Sequence, residues 1–374
     1  MFSRAGRGWF LMCACMVTLS LPGYAKDVLK VKTDKGKVEG KMSTDGQVRV
    51  FLGIPYAAPP VGPLRWKPPQ PAVKWSGVKE TTDFWHRCMQ PSIYDDMHFR
   101  DPGGSEDCLT LNVWTPAKDK HAKLPVMVWI YGGGFTGGAV SEPRQDGEHL
   151  AHKGVIVVSM NYRLGVFGFF THPDLAAESA QHAAGNYGLM DQTAALEWVK
   201  KNIAEFGGDP TQVTIFGESA GSFSVSAQMA SPLARGLFVR AIGESGGAFS
   251  VTLPFLPLAQ REAKDEDAIR RATGTSDLAQ LRAMSADDLL KAVSKKVEEP
   301  PARFSPDVDG YFLPESVPQI YAEGKQAHVP LIAGWNLDEG SFEVLMAPQK
   351  PTLERLETQA QTDFGNRSAD SLKV

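Results

Sequence analysis

Residues 217–221 read Gly-Glu-Ser-Ala-Gly, the G-x-S-x-G pattern that sets a serine on a sharp turn between a strand and a helix. The surroundings fit that turn. Gln212–Phe216 is an apolar, strand-like run leading in, and Ser222–Ala230 is a helix-competent run leading out. Ser219 then stands at a helix N-terminus, where amide N–H groups and the helix dipole favour developing negative charge. The matching chemistry is nucleophilic attack on an acyl carbon, and the oxyanion it creates needs preorganised donors. Tyr131-Gly132-Gly133-Gly134-Phe135 directly follows another apolar run, and its glycines expose backbone N–H groups with no side chain in the way. Gly133, Gly134 and the N–H of Ala220 together form a three-donor cradle. No Gly-Lys-Ser/Thr follows the glycines, which argues against a phosphate loop.

A second match, Gly243-Glu244-Ser245-Gly246-Gly247, resembles the nucleophile region of trypsin-like proteases. A strand precedes it, but residues 248–257 carry two prolines and no helical stripe. Trypsin-like enzymes are also all-β, with a histidine beside a cysteine far upstream, and this chain has neither feature. Ser245 is read as a strand end and turn near the pocket.

The elements that must position these residues alternate. Apolar runs at 125–131, 155–160, 212–216, 238–242 and 329–334 suit strands buried on both faces of a parallel sheet. The clearest helix is Gln192–Phe206, with Leu196, Val199, Ile203 and Phe206 on one stripe and Gly207-Gly208 as its stop. Leu29–Val38 and Val48–Gly53 read as two short strands around a turn at Asp45-Gly46, and 54–71 is Pro-rich and irregular. Residues 259–296 are charged and mostly helical, an insertion or cap above the sheet. The fold class is α/β: a central, mostly parallel twisted sheet with helices on both faces and a small N-terminal β-hairpin region.

The chain has 374 residues, 43% hydrophobic and 22% charged, with a formal net charge of −4, so a basic nucleic-acid surface is excluded as its main theme. Arg4 and Arg7, the apolar run Trp9–Leu21 and Gly23-Tyr24-Ala25 read as a secretory signal peptide cleaved after Ala25. This predicts a secreted or periplasmic protein with a single domain over 26–374 and no membrane association after cleavage. Cys13 and Cys15 leave with the signal. Cys88 and Cys108 remain, either as a disulfide worth roughly 3 kcal/mol or as two buried thiols. No Cys/His cluster has metal-ligand spacing, and no metal or cofactor is expected.

Taken together, the motifs resemble the type-B carboxylesterases of the carboxylesterase/cholinesterase family, which have the α/β-hydrolase fold. The matching stretches run from residue 36 to about 342. They include Phe51–Ala57, Pro63–Trp66, Ser105–Asn112, the glycine loop, Asn161–Gly165, Gly185–Gln192, Phe206–Pro210 and the elbow. Residues 351–374 are expected to fall outside the resemblance. The resemblance implies a Cys88–Cys108 disulfide and structural ion pairs Arg65–Glu106 and Arg163–Asp191. It makes Glu339, in Gly334–Gly340, the triad acid, with Asp338 as its competitor, and puts Asp307 and Asp309 in a structural turn. The implied activity is hydrolysis of small carboxylic esters through an acyl-enzyme.

The triad histidine is the departure. In this fold it follows the acid, yet the eight histidines (His86, His98, His121, His149, His152, His172, His182 and His328) all precede Glu339. The chain is therefore expected to be a C-terminally incomplete copy, inactive in this form. The alternative is a catalytically inactive homologue of the binding or adhesion type. Asn366-Arg367-Ser368 is a glycan acceptor only in a eukaryotic source.

Overall fold

The computed structural model describes residues 28–93, 95–249, 254–295, 303–339 and 352–365. The signal segment and Asn366–Ser368 lie outside them. The main sheet has strands β1 (Lys41–Met42), β2 (Arg49–Pro55), β3 (Thr110–Thr115), β4 (Leu124–Ile130), β5 (Ile156–Met160), β6 (Gly208–Glu218), β7 (Arg240–Glu244) and β8 (Leu331–Gly334). Their order is β8-β7-β6-β4-β5-β3-β2-β1. The neighbours from β8 to β5 are parallel, and those from β5 to β1 are antiparallel. This is the expected α/β architecture. Val126, Val128, Ile130, Ile156, Val158, Val213 and Ile215 form its fully buried centre.

The expectation of burial on both faces holds along β5, fails along β7 and along β8, whose four residues are all exposed, and fails along β4 and β6. There Met127, Trp129, Thr214 and Phe216 are only half-buried, because the second face is thinly covered among the described residues. Strand β3 escaped the apolar-run criterion because Thr110, Asn112 and Thr115 interrupt it, although all its residues are buried. Leu29–Val38 is two strands, Lys30–Lys32 and Lys37–Glu39. The polar turn between them is closed by the Thr33 N–H donating to the Gly36 carbonyl at 2.8 Å. The turn at Asp45-Gly46 forms as expected, with Gly46 at φ +71°.

The long helix runs Tyr187–Asn202, five residues earlier than its stripe indicated, and closes in a 3-10 turn at Ile203–Phe206. Its first turns are buried all round, so an amphipathic signal cannot mark them. The cap consists of helices Leu258–Thr273, Leu278–Ala283 and Ala286–Val293. It is tied down by Arg65, which donates from Nη1 to the Met284 carbonyl (2.8 Å) and bidentately to Glu106 (2.7 and 2.6 Å). The sulfurs of Cys88 and Cys108, on either side of Glu106 and its loop, stand 2.00 Å apart. No described helix is long and apolar enough to cross a membrane.

Arg163 and Asp191 form the second buried pair, with Nε and Nη2 donating to the carboxylate at 2.8 and 2.7 Å. Truncating one partner of a buried pair leaves the other charge uncompensated. Asp191→Ala should therefore lower stability by about 3–5 kcal/mol in a denaturant titration. Glu197→Ala, which removes an exposed partner of Lys201, should stay within about 0.5 kcal/mol.

Candidate active site

Strand β6 ends at Glu218, the helix Ala220–Ala230 begins two residues later, and Ser219 turns the chain between them with φ +54° and ψ −120°. A non-glycine residue keeps that backbone only where its surroundings enforce it. Here the Ser219 N–H donates to the Glu244 carbonyl at 2.9 Å, and its own carbonyl accepts from the Phe223 N–H at 3.0 Å. The flanking glycines supply the clearance. A Cβ on Gly221 would stand 2.0 Å from the Ile130 carbonyl oxygen.

The glycine loop leaves β4 beside this elbow, Ile130 being the register partner of Gly217. Gly133 lies at φ +107°, and its carbonyl closes the loop by accepting from Thr136 and Gly137. Among the described residues the N–H groups of Gly133, Gly134 and Ala220 donate no hydrogen bond. Gly134, Ser219 and Ala220 line one cavity of about 640 Å³, with Phe135, Phe223 and Phe255 as its apolar part. Gly133 is not among the lining residues.

Glu339 does not line the cavity. It lies past the end of β8, accepts from the Asn336 N–H at 2.8 Å, and accepts a hydrogen bond from the Ser245 hydroxyl. These bonds, that of Ser245 first, hold its carboxyl below the usual carboxylate range. Ser245 ends β7 at φ +55°, and its N–H donates to the Gly334 carbonyl at 2.7 Å. The C-terminal ends of β6, β7 and β8 thus present Ser219, Ser245 and Glu339 side by side, the edge at which open α/β sheets carry their sites. The strand-end reading of Ser245 anticipated its position. Its contact with Glu339 was invisible in the sequence, where 94 residues separate the two.

No histidine bonds Ser219 or Glu339 among the described residues. His328 precedes β8, so it sits at the opposite end of that strand, and its Nε2 engages the Gly324 carbonyl at 2.9 Å. Asp309 caps its own turn by accepting from Tyr311 and Leu313, as a structural turn requires. Asp45, Glu148 and His152 bring three ligand-type atoms within 4.8 Å of one another, a grouping that spacing along the chain does not reveal. The His152–Asp45 ion pair at 3.2 Å accounts for that contact.

The profile of the Carboxylesterase family matches residues 27–372. The chain belongs to the carboxylesterase family. The match continues through most of 351–374, so the expectation that the resemblance ends near residue 342 is corrected. Fumonisin B1 esterase of Sphingopyxis macrogoltabida is 41% identical over 327 residues, covering 86% of this chain and 58% of that protein. Para-nitrobenzyl esterase of Bacillus subtilis is 44% identical over 321 residues, covering 83% and 63%. The chain therefore spans about three-fifths of the length of these relatives. The crystal structure of a Geobacillus stearothermophilus carboxylesterase superposes with a TM-score of 0.78 at 39% identity, over 90% of this chain and 69% of that one. The fold is thus that of the α/β-hydrolase carboxylesterases.

The close approach at Gly221 generates a stability test. Gly221→Ala should lower stability by about 1–3 kcal/mol or prevent folding, since backbone must move to admit the methyl group. Gly247→Ala, whose Cβ would meet nothing nearer among the described residues than Phe249 at 3.4 Å, should melt within a degree or so of the unaltered chain in a thermal-shift assay.

Proposed function

We propose that the chain is a serine hydrolase of small carboxylic esters working through an acyl-enzyme. One observation carries the reading: Ser219 sits on a strained elbow in the same cavity as the uncommitted N–H groups of Gly134 and Ala220. Ser219 Oγ attacks the ester carbonyl, and a base removes its proton. The carbonyl oxygen gathers negative charge against the N–H groups of Gly134 and Ala220, with Gly133 as the third donor. Collapse expels the alcohol, which takes the proton, and water then releases the acid by the same steps. Glu339 is the residue that would hold a histidine's second nitrogen and stabilise the imidazolium. The chemistry needs no cofactor, and the partner is a small ester molecule.

A serine hydroxyl is a poor nucleophile without a base, and removing the histidine from a serine hydrolase costs up to about 10⁶-fold in kcat. No histidine follows Glu339, so the 374-residue chain should turn over very slowly unaided. Added imidazole can supply the base. With p-nitrophenyl acetate, imidazole should raise the rate of the unaltered chain above that of Ser219→Ala, and peptide mass mapping should find an acetyl group on Ser219. Ser245→Ala should keep most of that increment. If the two variants exchange behaviours, the elbow assignment is wrong. If neither differs from the unaltered chain, the non-catalytic reading takes over.

Export belongs to the same reading. The segment 1–25 acts as a signal peptide, the mature single domain is secreted or periplasmic, and Cys88–Cys108 is its disulfide, consistent with the 2.00 Å sulfur separation. Peptide mapping of exported material without reduction should recover the two cysteines as one linked pair. Two free thiols would remove both the pairing and the export argument.

A further inference from the structure

We propose that the cavity beside Ser219 selects esters that carry a carboxylate, with the anion held by the cap opposite the nucleophile. The inference rests on the hydrolase reading and adds the substrate's charge to it.

The cavity has two unlike sides. Beside Ser219 it is apolar: Phe255 lies between Phe135 and Phe223, with ring centroids 6.3 and 6.4 Å away. The other side is one face of the helix Leu258–Thr273, whose residues 261, 264, 268 and 271 recur at helical spacing, together with Arg303. The titratable residues in the lining are Arg261, Lys264, Arg271 and Arg303 against Asp265 and Asp267, a net charge of +2 when all are ionised.

Both acids are already committed. Asp265 accepts from the Thr171 N–H and hydroxyl, each at 2.9 Å, and pairs with Arg261 at 2.7 Å. Asp267 pairs with Arg271 and Arg270. Lys264 and Arg303 have no carboxylate partner among the described residues, and both are exposed residues of the cavity lining. Arg261 is only 6% exposed, yet its Nε has no hydrogen-bond acceptor among the described residues. A buried donor left unmatched beside a cavity is the type of group a ligand's acceptor satisfies. Two cations without a carboxylate partner among the described residues, and one unmatched N–H on the otherwise paired Arg261, suit an anion joined to an apolar stem, with the ester carbonyl at the Ser219 end.

Equilibrium binding tests this without requiring turnover. The probes are 4-oxo-4-phenylbutanoate, a ketone that cannot be hydrolysed, and its uncharged amide, 4-oxo-4-phenylbutanamide. By calorimetry at low salt the carboxylate should bind about fivefold or more tightly than the amide. Half-molar sodium chloride should shrink that advantage. The double variant Lys264→Gln/Arg303→Gln should bring the carboxylate's affinity down to the amide's, while Ser219→Ala keeps the advantage. Both cations are exposed, so the variant should fold, and circular dichroism checks it. Equal affinities in the unaltered chain, no binding of either probe, or an undiminished advantage in the double variant would each overturn the proposal. Ser219-dependent hydrolysis without charge preference would leave the hydrolase reading standing alone. Charge preference without Ser219-dependent hydrolysis would leave the anion site and remove the hydrolase.

Discussion

Gly217 and Gly221 let the elbow's backbone press against the Ile130 carbonyl, where added Cβ atoms would stand 2.7 and 2.0 Å away. Everything else at the site follows from that contact. It joins the turn after β6 to the loop after β4, so the Ala220 and Gly134 N–H groups face one cavity although 86 residues separate them in sequence. It also leaves Ser219 no relaxed backbone: the strand is fixed by its pairing with β4 and β7, and the helix by Gly221. Strain of this type persists only when the surroundings over-determine it. Two unrelated hydrogen bonds, from Phe223 and to Glu244, pin the same residue from opposite sides.

The charges around this pivot are sorted. Acids gather at the strand ends, where Glu218, Glu244 and Glu339 are close enough that lost hydration, followed by repulsion from Glu339 and Glu244, pushes the Glu218 carboxyl upward. Cations gather across the cavity on the cap. A bound anion is therefore repelled from the strand-end side and attracted to the cap side, which orients it along the cavity. Negative charge at the strand end next to Ser219 would also favour a cationic base there, as the proposed acyl transfer requires. The cap can hold its cations in place because Arg65, bonded to Glu106 and to cap carbonyls, anchors it to the body of the protein.

How much of this the sequence disclosed depended on whether the signal was local. The elbow, the glycine loop and the parallel strands were legible because each is a short run whose residue types answer a backbone requirement. Strand β3 was missed because its buried polar residues, Thr110, Asn112 and Thr115, break the apolar pattern. The start of the long helix was missed because total burial erases periodicity. The cation wall was hidden for a different reason. Residues 259–296 read only as charged and helical, and which of their cations line the cavity depends on how the helix Leu258–Thr273 is placed in the fold, not on spacing alone. The Ser245–Glu339 contact joins two strand ends through sheet order, which no local pattern encodes.

The two halves of the site are anchored unequally. Ser219 and the glycine loop rest on β4 and β6, whose inward residues are fully buried. Glu339 hangs from β8, the last strand of the sheet, where all four residues are exposed and Ile332 and Trp335 keep 68% and 82% of their surface. Among the described residues few buried contacts hold β8, so its attachment rests on the pairing with β7. Among the described residues the links to β7 include the strand pairing, the Ala241 N–H to the Pro330 carbonyl, the Ser245 N–H to the Gly334 carbonyl and the Ser245 hydroxyl to Glu339. Ser245, which repeats the elbow pattern in sequence, thus fastens Glu339 to the end of β7, and its backbone at positive φ, like that of Ser219, is held by the strand ends it joins.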